Sequence, residues 1–570
     1  MGTDLTVKIG GEAGQGIQTV GGLLAQVCHQ SGLYLLVVND FESRIRGGHS
    51  FMQLRISDRP VKAPDHRVHL LIALNEQTLE THRSELAEGG MVLFDGESYG
   101  RDPSVLGVHI TELARQAGGS IMANTVAAGA ALCLLGSPEK SIHSVLESRF
   151  KDKKASVLEN NLKAARSGAE AVAGVSFDWA FKWPDRKPPG KLVSGARMLA
   201  LGAIAADCRF AGFYPMSPAT GIMENLVEFE ESRPLVVEQA EDEIAAVNMV
   251  IGASFAGVRA MTATSGGGFA LMSEGVGLAG ITETPLVIIN SQRPGPATGL
   301  PTRTAQADLR FVMHAAQDES PRFVLAPDSL DSAFEIMIRA FDLADRYQVP
   351  VIVLTDQYFN DSMAIAQKPL TVPSEIERFI AGDSDMEDPA GYRRFAFTDS
   401  GVSPRALPCR GRALVMVTGN EHQEDGHLSE RITDRVGQMN KRNRKLSDMK
   451  KHIRPPETFY PDSTLLLVGW GSTAGIILES VEMLRADGID AGAVLFTDIW
   501  PFPEAEVTRI LDQCRNFYMV EQNTSAQLGW IIRERTGKRF AHAIVKYDGR
   551  PFFPLEIARK VKALQEGYDG

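Results

Sequence analysis

The sequence predicts an α/β protein made of three consecutive α/β domains. Three observations carry that expectation. Apolar, strand-like stretches alternate with helical ones in three separate parts of the chain, the pattern of parallel sheets. The strand-like stretches run into glycine-rich or polar turns. A proline-rich stretch and an irregular, charged one divide the parts, and 570 residues at roughly 100–200 per domain leave room for three or four.

The first part opens with an alternating strand over residues 5–9, the turn Gly10-Gly11-Glu12-Ala13-Gly14-Gln15-Gly16, a helix over Ile17–Gln30 and a second strand over 33–38. This βαβ opening implies a parallel sheet. Further strands are expected at 68–74 and 91–94, within a domain spanning 1–180. Residues 181–193 form a linker, where Pro184, Pro188 and Pro189 forbid a regular element. The second domain, 194–410, has candidate strands at 235–237, Arg259–Thr264, 286–290 and 349–354, with 368–410 irregular. A charged connecting segment follows at 411–460, in which 427–454 reads as a solvated helix. The third domain, 461–570, has strands at 465–468, Ala491–Phe496 and 516–520, the turn Gly469-Trp470-Gly471-Ser472 and a helix over 473–486.

Composition bounds the function. The chain is 44% hydrophobic and 23% charged, ordinary for a globular protein. Its 59 Lys+Arg against 71 Asp+Glu give a net charge of −12, which speaks against nucleic acid and against docking an acidic electron carrier mainly on this chain. Cys28, Cys133, Cys208, Cys409 and Cys514 are scattered, with no C-x-x-C pair. They read as reduced buried thiols rather than ligands of an iron–sulfur cluster or zinc. The amino terminus has no basic and apolar leader pattern, and no apolar run has the length of a membrane span. A cytoplasmic location without membrane contact is the expectation.

The first glycine turn falls short of a dinucleotide fingerprint, because Thr19 stands where a third glycine belongs. Asp40, ending the second strand, imitates a ribose-binding acid. The turn is either an anion cradle at a helix N-terminus or a close-packed structural turn. Arg44 and Arg46, beside Gly47-Gly48, either bind an anion or lie solvated on a surface turn.

The second domain carries the sharper signals. Tyr214-Pro215-Met216-Ser217-Pro218-Ala219-Thr220 sets a hydroxyl between two prolines, so the loop is stiff and presents Ser217 and Thr220 with little reorganisation. The alternative is a helix N-cap leading into residues 221–227. In Glu241-Asp242-Glu243 the acids begin a helix, as the macrodipole favours. Glu243 differs from its neighbours in sharing a helical stripe with Ala246, Val247 and Val250. Turned inward, it is a carboxyl on an apolar face, able to share a proton with a bound heterocycle; turned outward, it is an ordinary first-turn glutamate. Thr264 ends a strand before Ser265-Gly266-Gly267-Gly268, at the carboxyl edge of a parallel sheet, where α/β proteins bind ligands. Arg293 follows another strand and Arg303 stands in a proline-braced loop; both suit a carboxylate.

Taken in order, these segments resemble the 2-oxoacid:ferredoxin oxidoreductase family, specifically its α subunit with the γ domain fused at the N-terminus. The likeness covers nearly the whole chain. It rests on Gly11-Glu12-Ala13-Gly14-Gln15-Gly16, Arg46-Gly47-Gly48, Asn124 in Ala123-Asn124-Thr125-Val126, and the loops at 214–220, 241–246, 262–268 and 292–306. Trp470-Gly471-Ser472 and Glu521-Gln522-Asn523 complete it. The resemblance implies a second domain of the thiamine-diphosphate pyrimidine-binding type and a third like the C-terminal domain of transketolase. It implies coenzyme-A-dependent oxidative decarboxylation of a 2-oxoacid, with electrons passing to ferredoxin.

The resemblance also implies a β subunit that holds the diphosphate, Mg²⁺ and a [4Fe-4S] cluster, with no metal on this chain and a dimer of αβ pairs. In agreement, the sequence has no Gly-Asp-Gly triplet with a following Asn. By resemblance, Glu243 is the carboxyl that protonates the aminopyrimidine N1′, with Glu241 its nearest competitor. Pro215 and Thr264 join Glu243 at the cofactor. Ser217, Thr220, Arg293 and Arg303 bind substrate, with spacing favouring Arg303 over Arg293 for the carboxylate. Ser217 stands where the family usually has Thr, and Ala305 where many relatives have Glu. The fused layout, common among bacterial 2-oxoglutarate enzymes of the family, implies 2-oxoglutarate as substrate and succinyl-CoA as product. Pyruvate or a broad 2-oxoacid range is the alternative. Two readings of other classes are an NAD- or FAD-binding dehydrogenase using the N-terminal turn and a non-catalytic assembly protein on the same fold.

Overall fold

A computed structural model describes residues 3–43, 47–97, 102–184, 186–385 and 391–567. The chain forms two compact units. The first comprises residues 1–194 with 362–368 and 553–555. Its eight-stranded sheet runs Val105–Val108, Leu86–Asp95, Val68–Ala73, Asp4–Ala13, Gly47–Ser57, Tyr34–Asp40, Met363–Ala366 and Lys191–Ser194. The helix Ile17–Gln30 and the strands at both its ends are where the hydrophobic pattern puts them. The sheet is mixed rather than parallel, however. Gly47–Ser57 lies antiparallel between Asp4–Ala13 and Tyr34–Asp40. The connection from Tyr34–Asp40 is too short for a crossover, so the next strand folds back as a hairpin and separates the two parallel strands. Gly47 and Gly48 begin that strand, while Arg44 and Arg46 lie outside the described residues.

The glycine turn is a packing feature. Gly16 precedes the helix at φ 83°, and a Cβ there would sit 2.1 Å from Nδ2 of Asn124. Left-handed backbone and close approach both demand glycine. The Gly16 and Asn124 motifs are thus two halves of one contact.

The second unit holds the other two α/β regions. A seven-stranded sheet runs Asp498–Trp500, Phe323–Leu325, Pro350–Asp356, Leu286–Gln292, Arg259–Thr264, Cys208–Phe213 and Val236–Gln239. Its strands are parallel except Asp498–Trp500. A five-stranded sheet follows, in the order Glu457–Phe459, Ala491–Phe496, Leu465–Trp470, Asn516–Glu521 and His542–Val545. The edge strand Asp498–Trp500 thus comes from the third region and pairs with the second. Arg339 fixes it with a bidentate bond to the buried Asp498 (2.9 and 2.7 Å). One apolar core, including Val247, Ile288, Val468, Phe496 and Met519, runs through both regions.

The charged segment forms a helix, Ile432–Met449, as composition suggests, but one face of it is not solvated. Lys441 and Lys445, one turn apart, are buried and both pair with the buried Glu283. Arg442 pairs with Glu421 (2.7 Å). Burial alone would push the Glu283 carboxyl up; Lys445, Lys441 and Arg394 overcome this and hold it below the usual carboxylate range. Burial lowers Lys441 to about 8. Helical spacing gathered these cations into one stripe, but only the position of Glu283 decides that the stripe turns inward.

Among the described residues no single helix is long and apolar enough to cross a membrane; Ile110–Ala117 with Ser120–Leu134 reaches the length only as a pair bent by 120°. That pair contributes Ile110, Val126 and Leu132 to the core of the first unit.

Candidate active site

Four neighbouring parallel strands deliver the candidate residues from their carboxyl ends, the binding edge of an open α/β sheet. Val236–Gln239 leads to Glu243, Cys208–Phe213 to the 214–220 loop, Arg259–Thr264 to the triple glycine, and Leu286–Gln292 to Arg293.

Glu243 opens the helix Glu243–Phe255, which Asp242 caps by accepting the Ala245 N–H (2.7 Å). Glu241 and Asp242 are exposed; Glu243 is 3% exposed. Its stripe partners Ala246, Val247 and Val250 are buried completely. The inward reading of the helical spacing holds. Its Oε1 is enclosed and has no hydrogen-bond partner among the described residues. The carboxyl lies over Gly268, where a Cβ would come within 2.8 Å of Oε1 and 2.0 Å of the Thr264 hydroxyl. Glycine at 268 therefore makes the space in which the carboxyl stands. A buried carboxyl oxygen left unpaired costs roughly 1–3 kcal/mol, which a bound partner recovers.

Arg293 and the 214–220 loop meet at this carboxyl. Arg293 Nη1 donates to the Ser217 carbonyl (2.7 Å). Burial lowers the pKa of Arg293, and the charge of Glu243 acts against that lowering. Met216 is held by hydroxyl contacts from Ser265 (2.7 Å) and Thr264 (3.9 Å) to its sulfur. Asn360 Nδ2 donates to the Pro218 carbonyl (3.2 Å), and the Ala219 N–H to the Met216 carbonyl (2.8 Å). Ser217 and Pro215 are exposed and Thr220 is half-buried. The helix Thr220–Val227 has Ala219 at its N-cap and no side-chain cap, so neither Ser217 nor Thr220 serves as one. Arg303 lies elsewhere on its loop, its Cβ 3.0 Å from where a Cβ on Gly549 would stand. Geometry thus gathers Glu243, Thr264, Ser217 and Arg293, and sets Arg303 against the Gly549 turn.

Two carboxyls, the buried Asp356 and the half-buried Asp308, escaped the sequence reading. Asp308 is raised to about 6 by burial, against the Asn290 amide at 3.2 Å. Asp356, also raised to about 6 by burial, accepts the Phe359 N–H (2.9 Å) and the Ser472 hydroxyl. Each had a faint signal. Asp356 directly ends an apolar strand, and Asp308 precedes the helix Leu309–His314. The sign for Asp356 is that of a raised pKa. Its contribution to stability is complete below the unfolded value near 3.8 and is lost as pH rises through about 6. Asp356→Asn should therefore gain on the wild type by about 1–2 kcal/mol between pH 5 and pH 8. Denaturant melts at the two pH values measure this; a gap that does not widen with pH refutes it.

Among the described residues no group of three or more His, Cys, Asp or Glu is arranged to hold a metal ion, and all five cysteines are free.

The site thus lies at the carboxyl edge of a mostly parallel sheet that shares one core with a second α/β region, and the family match of that part of the chain gives its class, a thiamine-diphosphate-binding domain. Residues 201–441 match the pyruvate flavodoxin/ferredoxin oxidoreductase thiamine-diphosphate-binding family. Residues 6–171 match the pyruvate ferredoxin/flavodoxin oxidoreductase family, and 464–557 core domain II of pyruvate:ferredoxin oxidoreductase. The α subunit of a 2-oxoacid:ferredoxin oxidoreductase from Sulfolobus sp is 31% identical, over 99% of this chain and 97% of that one. The 2-oxoglutarate synthase subunit KorA of Methanothermobacter marburgensis is 32% identical over 65% of this chain and 98% of its own. A solved 2-oxoglutarate:ferredoxin oxidoreductase from Magnetococcus marinus, with 2-oxoglutarate, coenzyme A and succinyl-CoA bound, superposes with a TM-score of 0.91 at 29% identity, covering 98% and 99% of the two chains. The chain belongs to the 2-oxoacid:ferredoxin oxidoreductase family, as an α subunit with the additional N-terminal domain fused to it. It is part of a multi-subunit oxidoreductase and contains the thiamine-diphosphate-binding domain.

Proposed function

We propose that this chain is the α subunit of a 2-oxoglutarate:ferredoxin oxidoreductase, converting 2-oxoglutarate and coenzyme A to succinyl-CoA and CO₂ with electrons passing to ferredoxin. The observation that carries the site is the enclosed, unpartnered Oε1 of Glu243 beside Arg293 and Ser217. Thiamine diphosphate supplies the electron sink that decarboxylation of a 2-oxoacid requires. The fit to that cofactor is specific: an acidic oxygen without an internal partner, and a glycine floor that leaves it room. Glu243 holds and shares a proton at Oε1 with the bound heterocycle, while Pro215 and Thr264 line its place. Arg293 pairs with the substrate carboxylate, and Ser217 and Thr220 orient it with their hydroxyls. Arg303, further along the loop, is the second candidate for a substrate carboxylate.

The reading includes a β subunit holding the diphosphate, Mg²⁺ and a [4Fe-4S] cluster, without which this chain is inert. It also includes αβ pairs that dimerise, and a cytoplasmic location. Ile244, next to Glu243, is 51% exposed, and a β subunit seated there would cover it. The net charge of −12 favours the β subunit as the docking place of an acidic ferredoxin.

For the substrate, the ligand-bound Magnetococcus structure and the KorA relative support 2-oxoglutarate. The Sulfolobus relative, named for 2-oxoacids in general, favours a broader range as the second reading. Steady-state rates of the reconstituted αβ enzyme decide. Higher kcat/KM with 2-oxoglutarate is expected; a higher value with pyruvate overturns the assignment. Arg293→Ala should raise KM for the 2-oxoacid by about 10- to 100-fold, since a charge-assisted bidentate contact is lost. An unchanged KM removes Arg293 from substrate binding.

A further inference from the structure

The loop that leaves the sheet at Gln292 and rejoins the fold at Asp308 carries both arginines, and residues 295–300 at its tip are all exposed. Its base is closed by the Asp308 N–H donating to Gln292 Oε1 (3.0 Å), while Gln292 Nε2 donates to the Thr355 carbonyl (3.0 Å). Its returning half is held by buried polar groups of the third α/β region. Gln306, completely buried, is the centre. Its backbone N–H donates to the Gln522 carbonyl (2.7 Å), and its carbonyl accepts from Asn523 Nδ2 (2.9 Å). Its side-chain Nε2 donates to the Trp470 carbonyl (2.7 Å), and its Oε1 accepts the Gln522 N–H (3.1 Å).

The groups that hold Gln306 are themselves fixed. The buried Glu521 accepts from Asn523 Nδ2 (2.9 Å), Trp470 Nε1 (3.2 Å) and the N–H groups of Leu528 and Gly529 (3.1 and 3.2 Å). Ser472 donates to Asp356 at the end of a central strand and accepts from Gln522 Nε2 (3.4 Å). Every polar group of Gln306 is paired in this buried lattice, and such directional pairing narrows the geometry that apolar packing alone would leave open. It ends on the loop whose first residue, Arg293, bonds the Ser217 carbonyl.

We propose that the third region takes part in substrate recognition through this lattice, with Gln306 and Ser472 as positioning residues that preset the arginine loop. The inference rests on the reading of Arg293 as the carboxylate partner. A preset loop spares the enzyme the ordering entropy of closing it around substrate, and that saving appears in KM. Gln306→Leu keeps the bulk and removes the amide; Ser472→Ala removes the hydroxyl that joins Asp356 to Gln522.

The test uses the reconstituted αβ enzyme with the 2-oxoacid it turns over best. Both variants should raise KM by about 10- to 100-fold while largely keeping kcat, the size expected of a misplaced binding group. Without substrate, limited proteolysis should cut faster within residues 295–300 of either variant than in the wild type. Unchanged KM and unchanged cleavage overturn the proposal, as does a fall in kcat and thermal stability at constant KM, which marks a purely structural role. If Gln306→Leu does not fold, Ser472→Ala decides alone. Arg293→Ala separates the two levels. If it leaves KM unchanged, the functional reading fails; if it raises KM while Gln306→Leu and Ser472→Ala behave as wild type, only the positioning role fails.

Discussion

Replacing Glu243 by glutamine lowers turnover of the reconstituted enzyme by about 100- to 10,000-fold, the range over which a positioned acid–base group contributes. The prediction follows from burial and from the missing partner. Oε1 of Glu243 has no hydrogen-bond partner among the described residues, so an isosteric amide breaks no hydrogen bond of the fold at that atom. Thermal stability of the variant should therefore stay close to wild type, and the loss should fall in kcat. The amide retains shape and a hydrogen bond but cannot share a proton. Glu241→Gln is the matching control. Glu241 is exposed two residues away, and its substitution should leave kcat/KM within experimental scatter. Near-normal turnover in Glu243→Gln, or a comparable loss in Glu241→Gln, removes Glu243 from the mechanism.

Glu283→Gln should destabilise the protein by about 3–5 kcal/mol, because it strands two buried ammonium groups. Glu283, Lys441 and Lys445 are at most 1% exposed, so solvent screens little of their interaction. The pH sign is that of a depressed carboxyl. The stabilisation is complete above the unfolded value, about 4.5, and is lost as pH falls toward the lower folded value. Denaturant melts from pH 7 down to pH 3 should show wild-type stability converging on that of the variant. Replacing the whole set, Glu283→Leu with Lys441→Met and Lys445→Met, should recover most of the loss, since a well-packed apolar substitute matches a buried ion pair. A single variant as stable as wild type, or a triple variant no better than the single one, contradicts this account.

The candidate site was legible in the sequence to an uneven degree. Glu243 could be singled out because helical spacing set it with Ala246, Val247 and Val250, and the structure buries that stripe. The 214–220 loop and the triple glycine could be read because proline and glycine constrain the backbone where they stand. Spacing along the loop favoured Arg303, whereas the geometry joins Arg293 to Ser217 and Glu243. The first sheet looked parallel because its opening βαβ unit is local; the antiparallel insertion of Gly47–Ser57 is a pairing across that unit. Asp308 and Asp356 went unremarked because a lone acid beside a strand end or a helix start is usually solvated, and only their enclosure sets them apart.

By itself the sequence determined the α/β class, the succession of three sheet-forming regions, the turns at their carboxyl ends and the helical stripe that Glu243 shares with Ala246, Val247 and Val250. These depend on backbone constraints and side-chain periods that repeat within a few residues. The tertiary structure alone decided which arginine meets the carboxyl, which lysines turn inward, and how the third region holds the loop. Those outcomes rest on partners far apart in the chain, Lys441 with Glu283 across 158 residues and Gln522 with Gln306 across 216. No local propensity encodes such pairs; they follow from burial, which makes an unpaired charge or amide too costly to leave unmatched.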